Sequence, residues 1–288
     1  MSPPESHIPL TPRTLGNNLD LALLLLRSGF RGYLAAWCWC CLPVLVLIAT
    51  TGRVFDWTWP RALVAAVVAS GFLGTLVASL TGQLMFGEPV SVAGACRRLG
   101  PRPWWFLLQR CFRRSVEMFA LAMLVLPGVL LVSRWPFRTE ARVLRNIDPV
   151  LHGERSTKLL DLESSRVMSL WFSLAGYGVM LWSMLLLTAD FASNWLLGTP
   201  LLMGRLGLDT AYASENREVL IAVFKFLWKD PVVLMVEVAI GLFVFVYLRI
   251  TWFLCYLDLR VRDDCWDVEL KLRREAERLW SGVPGRPQ

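Results

Sequence analysis

Three ionisable side chains stand inside apolar stretches, where a charge is costly and usually has a reason. Glu237 lies about two helical turns into the run from Val232 to Leu257, and Arg249 lies deeper in the same run. Glu117 stands near the start of another apolar stretch, Ser115 to Ser133. Two kinds of chemistry are open to them. Glu237 can act as a proton or cation site on a transport path, or as the intramembrane partner of an arginine. The structural alternative is a buried ion pair, or a carboxyl that burial keeps neutral. With one acid in that run, the structural alternative is the simpler one.

Other catalytic chemistry has few residues to work with. The two histidines are His7 in the polar N-terminus and His152 in a polar loop. That leaves no multi-histidine metal site and no obvious histidine base. No G-x-S-x-G, H-E-x-x-H or G-x-x-x-x-G-K-[ST] pattern occurs, and Gly71-Phe-Leu-Gly74 reads as helix packing rather than a phosphate loop. His152, Glu154, Arg155 and Lys158 read as a solvated face. The seven cysteines have no framework spacing. Cys38, Cys40 and Cys41 fall in the first apolar run, where small polarizable side chains pack well; a soft-metal site is the other reading. No catalytic residue, cofactor or metal is assigned, and the chain reads as non-enzymatic.

The elements that carry these residues must live in lipid. Of 288 residues 55% are hydrophobic, with 14 tryptophans and 15 phenylalanines, and the mean hydropathy is +0.48. That is too apolar for a soluble domain of this size. The apolar runs are continuous rather than alternating in blocks of about ten, which argues against a β-barrel. The expected fold is all-α, a polytopic helical membrane protein with four to six membrane segments and a long C-terminal helix extending into the cytoplasm. The net charge of +7 would point to nucleic acid in a soluble protein. Here the basic residues crowd the ends of apolar segments, where they meet anionic lipid headgroups, so no nucleic-acid partner is expected. The N-terminus lacks the basic flank and early apolar run of a signal peptide.

In chain order, residues 1–17 are polar, carry prolines and are expected to be disordered. Asn18 or Asp20 is a candidate cap for a short helix, LDLALLLLRSGF, that is interfacial or packed. Spans are expected at about 33–50, with Pro43 a candidate kink, and at 62–86, 168–189 and 232–257. Trp57, Trp59, Trp104 and Trp105 read as interface anchors. In the second span Ala66, Ser70, Gly74, Ala78 and Gly82 recur every four residues, which lets helix backbones approach closely and marks this span as the packing centre. Gly87 to Arg114 reads as a basic connector. The segment 103–134 either crosses the membrane or dips in and returns at Pro127-Gly128. Residues 134–166 read as a polar cytoplasmic segment, 191–208 as interfacial or re-entrant, and 217–230 as an amphipathic helix leading into the last span.

Charge separates the topologies. If every apolar segment crosses, lysine and arginine divide 13 against 16 between the two sides, leaving out Arg249. If 103–134 dips and returns, they divide 23 against 6. The positive-inside rule prefers the second, with both termini and 134–166 in the cytoplasm of a bacterium, the protein lying in its inner membrane.

Past Leu257 the polarity changes but nothing stops a helix. Val261, Cys265, Val268, Leu272, Ala276 and Leu279 form one apolar stripe on residues 258–288. Asp258 precedes Arg262, Asp267 precedes Lys271 and Glu269 precedes Arg273 by four residues, a spacing that supports a helix. Val261, Cys265, Val268, Leu272 and Leu279 are thus the candidate docking face for a protein partner or a second copy.

The run Tyr256-Leu-Asp-Leu-Arg-Val-Arg-Asp-Asp-Cys-Trp-Asp-Val-Glu-Leu270 resembles the end of the last span in bacterial membrane proteins of the glycerophosphoryl-diester-phosphodiesterase membrane-domain type. The likeness rests on Tyr256, Asp258, Arg260, Arg262, Trp266, Asp267 and Glu269, with Asp264-Cys265 standing where that pattern has Glu-Gly. Pro12 to Asp20 and the Pro127-Gly128 break with Arg134 and Glu154-Arg-Ser156 are similar more weakly. The resemblance implies membrane spans without a catalytic site, since nothing here resembles the soluble phosphodiesterase domain. The leading expectation is a scaffold or accessory subunit docking a partner through its C-terminal helix. The alternative is a small transporter or lipid-handling protein.

Overall fold

The structure, a computed structural model, describes residues 13–54, 59–85, 87–98, 103–123, 140, 164–198 and 230–264. Among them the chain forms α1 (Leu15–Ser28), α2 (Phe30–Val54), α3 (Trp59–Met85), α4 (Val92–Arg98), α5 (Pro103–Met123), α6 (Ser164–Leu197) and α7 (Pro231–Asp264), and no strand. Four of these helices are long and apolar enough to cross a membrane: α2 over Phe30–Thr50, α3 over Ala62–Met85, α6 over Ser165–Leu196 and α7 over Pro231–Arg262. They coincide with the four runs expected from hydropathy. α6 overruns its expected span at both ends, because a helix keeps its backbone bonds where its side chains turn polar, and α7 continues past Leu257 to Asp264 as expected.

Local signals set the ends. Thr14, not Asn18 or Asp20, caps α1: its hydroxyl accepts from Asn17 N–H at 3.4 Å. Asn18 is instead buried against α7, its side-chain amide 3.6 Å from Cys255 Sγ. Helix α1 thus begins at Leu15, within the stretch expected to be polar tail. Asp230 caps α7, its Oδ1 accepting from Val232 N–H at 2.8 Å, with Pro231 in the first helical position where its missing N–H costs nothing. α2 runs through Pro43 as one helix, and α6 ends at Gly198, whose φ of 67° suits glycine. The break at Pro127-Gly128 and the expected helix over 217–229 lie outside the described residues.

α3 and α7 form the centre. α3 packs against α2, α4, α5 and α7, and α7 also takes α1, α2 and α6. Of the four long helices α3 is the most enclosed, with 56% of its apolar window buried against 33% or less elsewhere. Small residues allow this. A Cβ built on Gly71 would stand 3.2 Å from Cys111 Cα of α5, and one on Gly74 would stand 3.1 Å from the Phe245 ring of α7. Some polar side chains inside the bundle bond across helices: Tyr33 and Thr81 hydroxyls bond at 3.0 Å, and Trp37 Nε1–H donates to Ala239 O at 3.2 Å.

α5 differs most from its expectation. The residues read as the end of a basic connector, 103–114, and the start of an apolar segment form one helix. It packs on the middle of α3, where Cys111 Sγ lies 3.4 Å from Val68 O.

Gly71→Leu must separate α3 from α5 and is expected to lower the thermal midpoint in detergent by several degrees, for a cost of about 1–3 kcal/mol. Gly176→Leu, where a Cβ meets nothing within 4 Å, is expected to leave it unchanged. Fluorescence-detected gel filtration after heating reads both.

Candidate functional site

The chemistry of the bundle collects where α5 crosses α3. Along α5, Trp105, Leu108, Phe112 and Val116 are exposed at spacings of three and four. Arg110, Arg114 and Glu117 occupy the opposite face and turn inward. They line an open cavity of about 280 Å³ between α3, α5, α6 and α7. α3 supplies its small-residue face, Ser70, Gly71, Gly74 and Thr75. α6 and α7 supply an apolar wall that includes Trp171, Leu174, Phe245, Leu248 and Trp252, and α7 adds Arg249.

Charge in the cavity is arranged in pairs. Glu117 takes Arg113 Nε at 3.3 Å and Arg114 Nη1 at 3.1 Å, both within its own helix. Arg249 donates from Nε to Gly74 O at 3.2 Å and reaches the carboxylate of Glu140 with Nη2. Glu140 is fully buried. Among the described residues the cluster holds four guanidinium groups, Arg110, Arg113, Arg114 and Arg249, against two carboxylates. Guanidinium forks match carboxylate and phosphate oxygens, so the arrangement can hold an anion beside an apolar wall.

Of the three ionisable residues singled out in the sequence, the structure brings two together. Arg249 and Glu117 share the cavity. Glu237 does not: it lies roughly 18 Å away along α7 at 1.5 Å per residue, and its backbone oxygen accepts from Trp182 Nε1–H at 3.3 Å. Arg110, Arg114 and Glu140 are the functional candidates that sequence reasoning missed. Arg110, Arg114 and Glu117 recur at i, i+4 and i+7, opposite an equally regular apolar face, and that period was the available signal. Glu140 sits in a polar stretch with no periodicity to mark it.

The family-like motif turns inward as well. Tyr256 and Arg260 are buried, and Val261, first of the docking stripe, packs in the bundle core. Asp258 and Arg262 pair at 3.1 Å and hold the backbone of Arg13 from both sides. Arg13 N–H donates to Asp258 Oδ1 and Arg262 Nη2 donates to Arg13 O, each at 2.6 Å. Burial lowers the Arg13 pKa from its usual range, with Asp258 opposing. Cys265, Trp266, Asp267, Val268, Glu269, Leu272 and Leu279 lie outside the described residues. Cys40 and Cys41 are buried and Cys38 is half-buried; all three are free thiols.

No family model matches the chain, and no curated protein and no solved structure is similar to it.

Removing one partner of the Arg249–Glu140 pair strands a buried charge. Glu140→Leu and Arg249→Leu are each expected to destabilise by about 3–5 kcal/mol, and the double variant by less than the two together. A double-mutant cycle of thermal midpoints measures the difference.

Proposed function

We propose that this chain is a non-enzymatic, multi-pass protein of a bacterial inner membrane that binds an anionic amphiphile, holding its polar head in the arginine-lined cavity. The observation that carries this reading is the orientation of α5. In water an amphipathic helix buries its apolar face and exposes its arginines. α5 does the reverse, with Phe112 and Trp105 outermost and Arg110 and Arg114 inside. Lipid favours that arrangement, and a helix so placed delivers guanidinium groups to the middle of α3.

In this reading α2, α3, α6 and α7 cross, both termini are cytoplasmic, and α5 enters from the cytoplasmic side. The division of 23 basic residues against 6 supports it. So does the resemblance of Tyr256–Leu270 to membrane domains without a catalytic unit. Ionisable side chains inside a bundle typically mark a substrate site, and here they adjoin an apolar wall suited to the start of an acyl chain. The docking role expected for the C-terminal helix rests on five residues of which Val261 alone is described, and that one packs in the bundle core.

Purification from native membranes in mild detergent, followed by mass spectrometry of retained lipids, tests the proposal. The wild-type protein is expected to keep an anionic amphiphile near one per chain. Arg110→Gln with Arg114→Gln is expected to lose it by about tenfold or more, while remaining monodisperse on gel filtration. Retention of no anionic amphiphile, or equal retention by the double variant, contradicts the reading.

A further inference from the structure

Glu237 has no part in the arginine-lined cavity. It stands on α7 roughly 18 Å from Arg249 at 1.5 Å per residue, inside one of the four long apolar helices. Its backbone oxygen accepts from Trp182 Nε1–H at 3.3 Å. Among the described residues, however, its side chain makes no hydrogen bond and no ion pair. The residue is half-buried, so its carboxyl is not sealed in the core.

The surroundings supply nothing that a carboxylate needs. Two indoles approach this stretch, and both N–H groups are spent on backbone oxygens. Trp182 of α6 bonds to Glu237 O, and Trp37 of α2 bonds to Ala239 O at 3.2 Å. The titratable groups on the packed helices lie elsewhere. α3 carries none from Leu63 to Met85. α6 carries Tyr177, whose ring meets Tyr247, and Asp190, eight residues or roughly 12 Å beyond Trp182. On α2, Cys38, Cys40 and Cys41 follow Trp37 as free thiols, the Tyr33 hydroxyl is bonded to Thr81, and Arg31 is exposed six residues or roughly 9 Å before Trp37. α1 meets α7 far from here, at Cys255. On α7 itself Asp230 is seven residues away, roughly 10 Å. Glu237 bonds to none of these. A charge held in an apolar helix with neither a donor nor a cation is costly, and taking up a proton removes the charge without repacking anything.

We infer that Glu237 is a proton-binding site, its carboxyl carrying a proton in the resting protein and able to release it through its half-open side. This goes beyond the anion site and does not rest on it.

Difference infrared spectroscopy of the full-length protein in nanodiscs, wild type against Glu237→Gln, tests the inference. At neutral pH the difference is expected to show the C=O stretch of an un-ionised carboxyl and no carboxylate band, with the carboxylate band replacing it as the pH is raised. The variant puts a neutral amide in place of a neutral acid of similar shape, so it is expected to keep the wild-type thermal midpoint. Carboxylate bands at neutral pH overturn the inference. In native membranes the probe is dicyclohexylcarbodiimide. The acid O–H adds across one of its N=C bonds and the acyl group then migrates to nitrogen, so a stable N-acylurea forms and nothing leaves. Peptide mass spectrometry is expected to find this adduct at Glu237, forming about tenfold more slowly for each pH unit above the point of ionisation. An adduct on the purified protein that is missing in native membranes gives Glu237 a cationic partner there and also overturns the inference.

Discussion

Arg249 sets the terms for the bundle. A guanidinium stays charged in any environment a protein provides, and this one stands on the central helix α7, among apolar neighbours. It finds a carbonyl on α3 and a carboxylate from beyond α5, at Gly74 and Glu140. Each of those partners constrains something else. Gly74 keeps the contact close: a Cβ there would stand 3.1 Å from the Phe245 ring and 3.5 Å from Arg249 Nε. Glu140 is itself fully buried, so its carboxylate meets Arg249 away from solvent.

The orientation of α5 follows from the same electrostatics. Arg110 and Arg114 cannot face hydrocarbon without large cost, whereas Trp105, Leu108, Phe112 and Val116 can. Turning the charged face inward places Glu117 beside Arg113 and Arg114. Gly71 lets α5 sit close enough to α3 for that face to reach the cavity. Toward the C-terminal end of α7, Asp258 and Arg262 hold Arg13 and so dock α1 against α7, a contact reinforced where Tyr247 O–H donates to Leu19 O at 3.0 Å. The bundle thus uses charged residues on itself at one end and gathers others around a pocket at mid-height.

Much of this architecture is legible in the residues. The four long helices announce themselves as unbroken apolar runs, and Gly74 in its four-residue repeat foretells a close helix contact. The ends are less legible: α6 reaches Leu197 because helical hydrogen bonding does not stop where hydropathy falls. α5 is harder still. Hydropathy divides the region at Ser115, since arginines lower any local average, and so separates Arg110 and Arg114 from Glu117 on the same helix face. Glu237 illustrates the converse. It lies within one of the four long apolar helices, yet tertiary packing puts it beside Trp182 and away from the arginines. Glu140 has no local mark at all; its role exists only once α7 is beside it.

The most direct measurement is a nitroxide scan of α5 in nanodiscs, with labels at Leu108→Cys, Phe112→Cys and Val116→Cys in a background whose native cysteines are replaced by alanine. Relaxation by oxygen, which concentrates in lipid, is compared with relaxation by a water-soluble nickel chelate. An inside-out α5 requires all three positions to respond to oxygen and to be shielded from nickel. Strong nickel access along this face would place α5 in water and remove the physical basis for an arginine pocket inside the membrane.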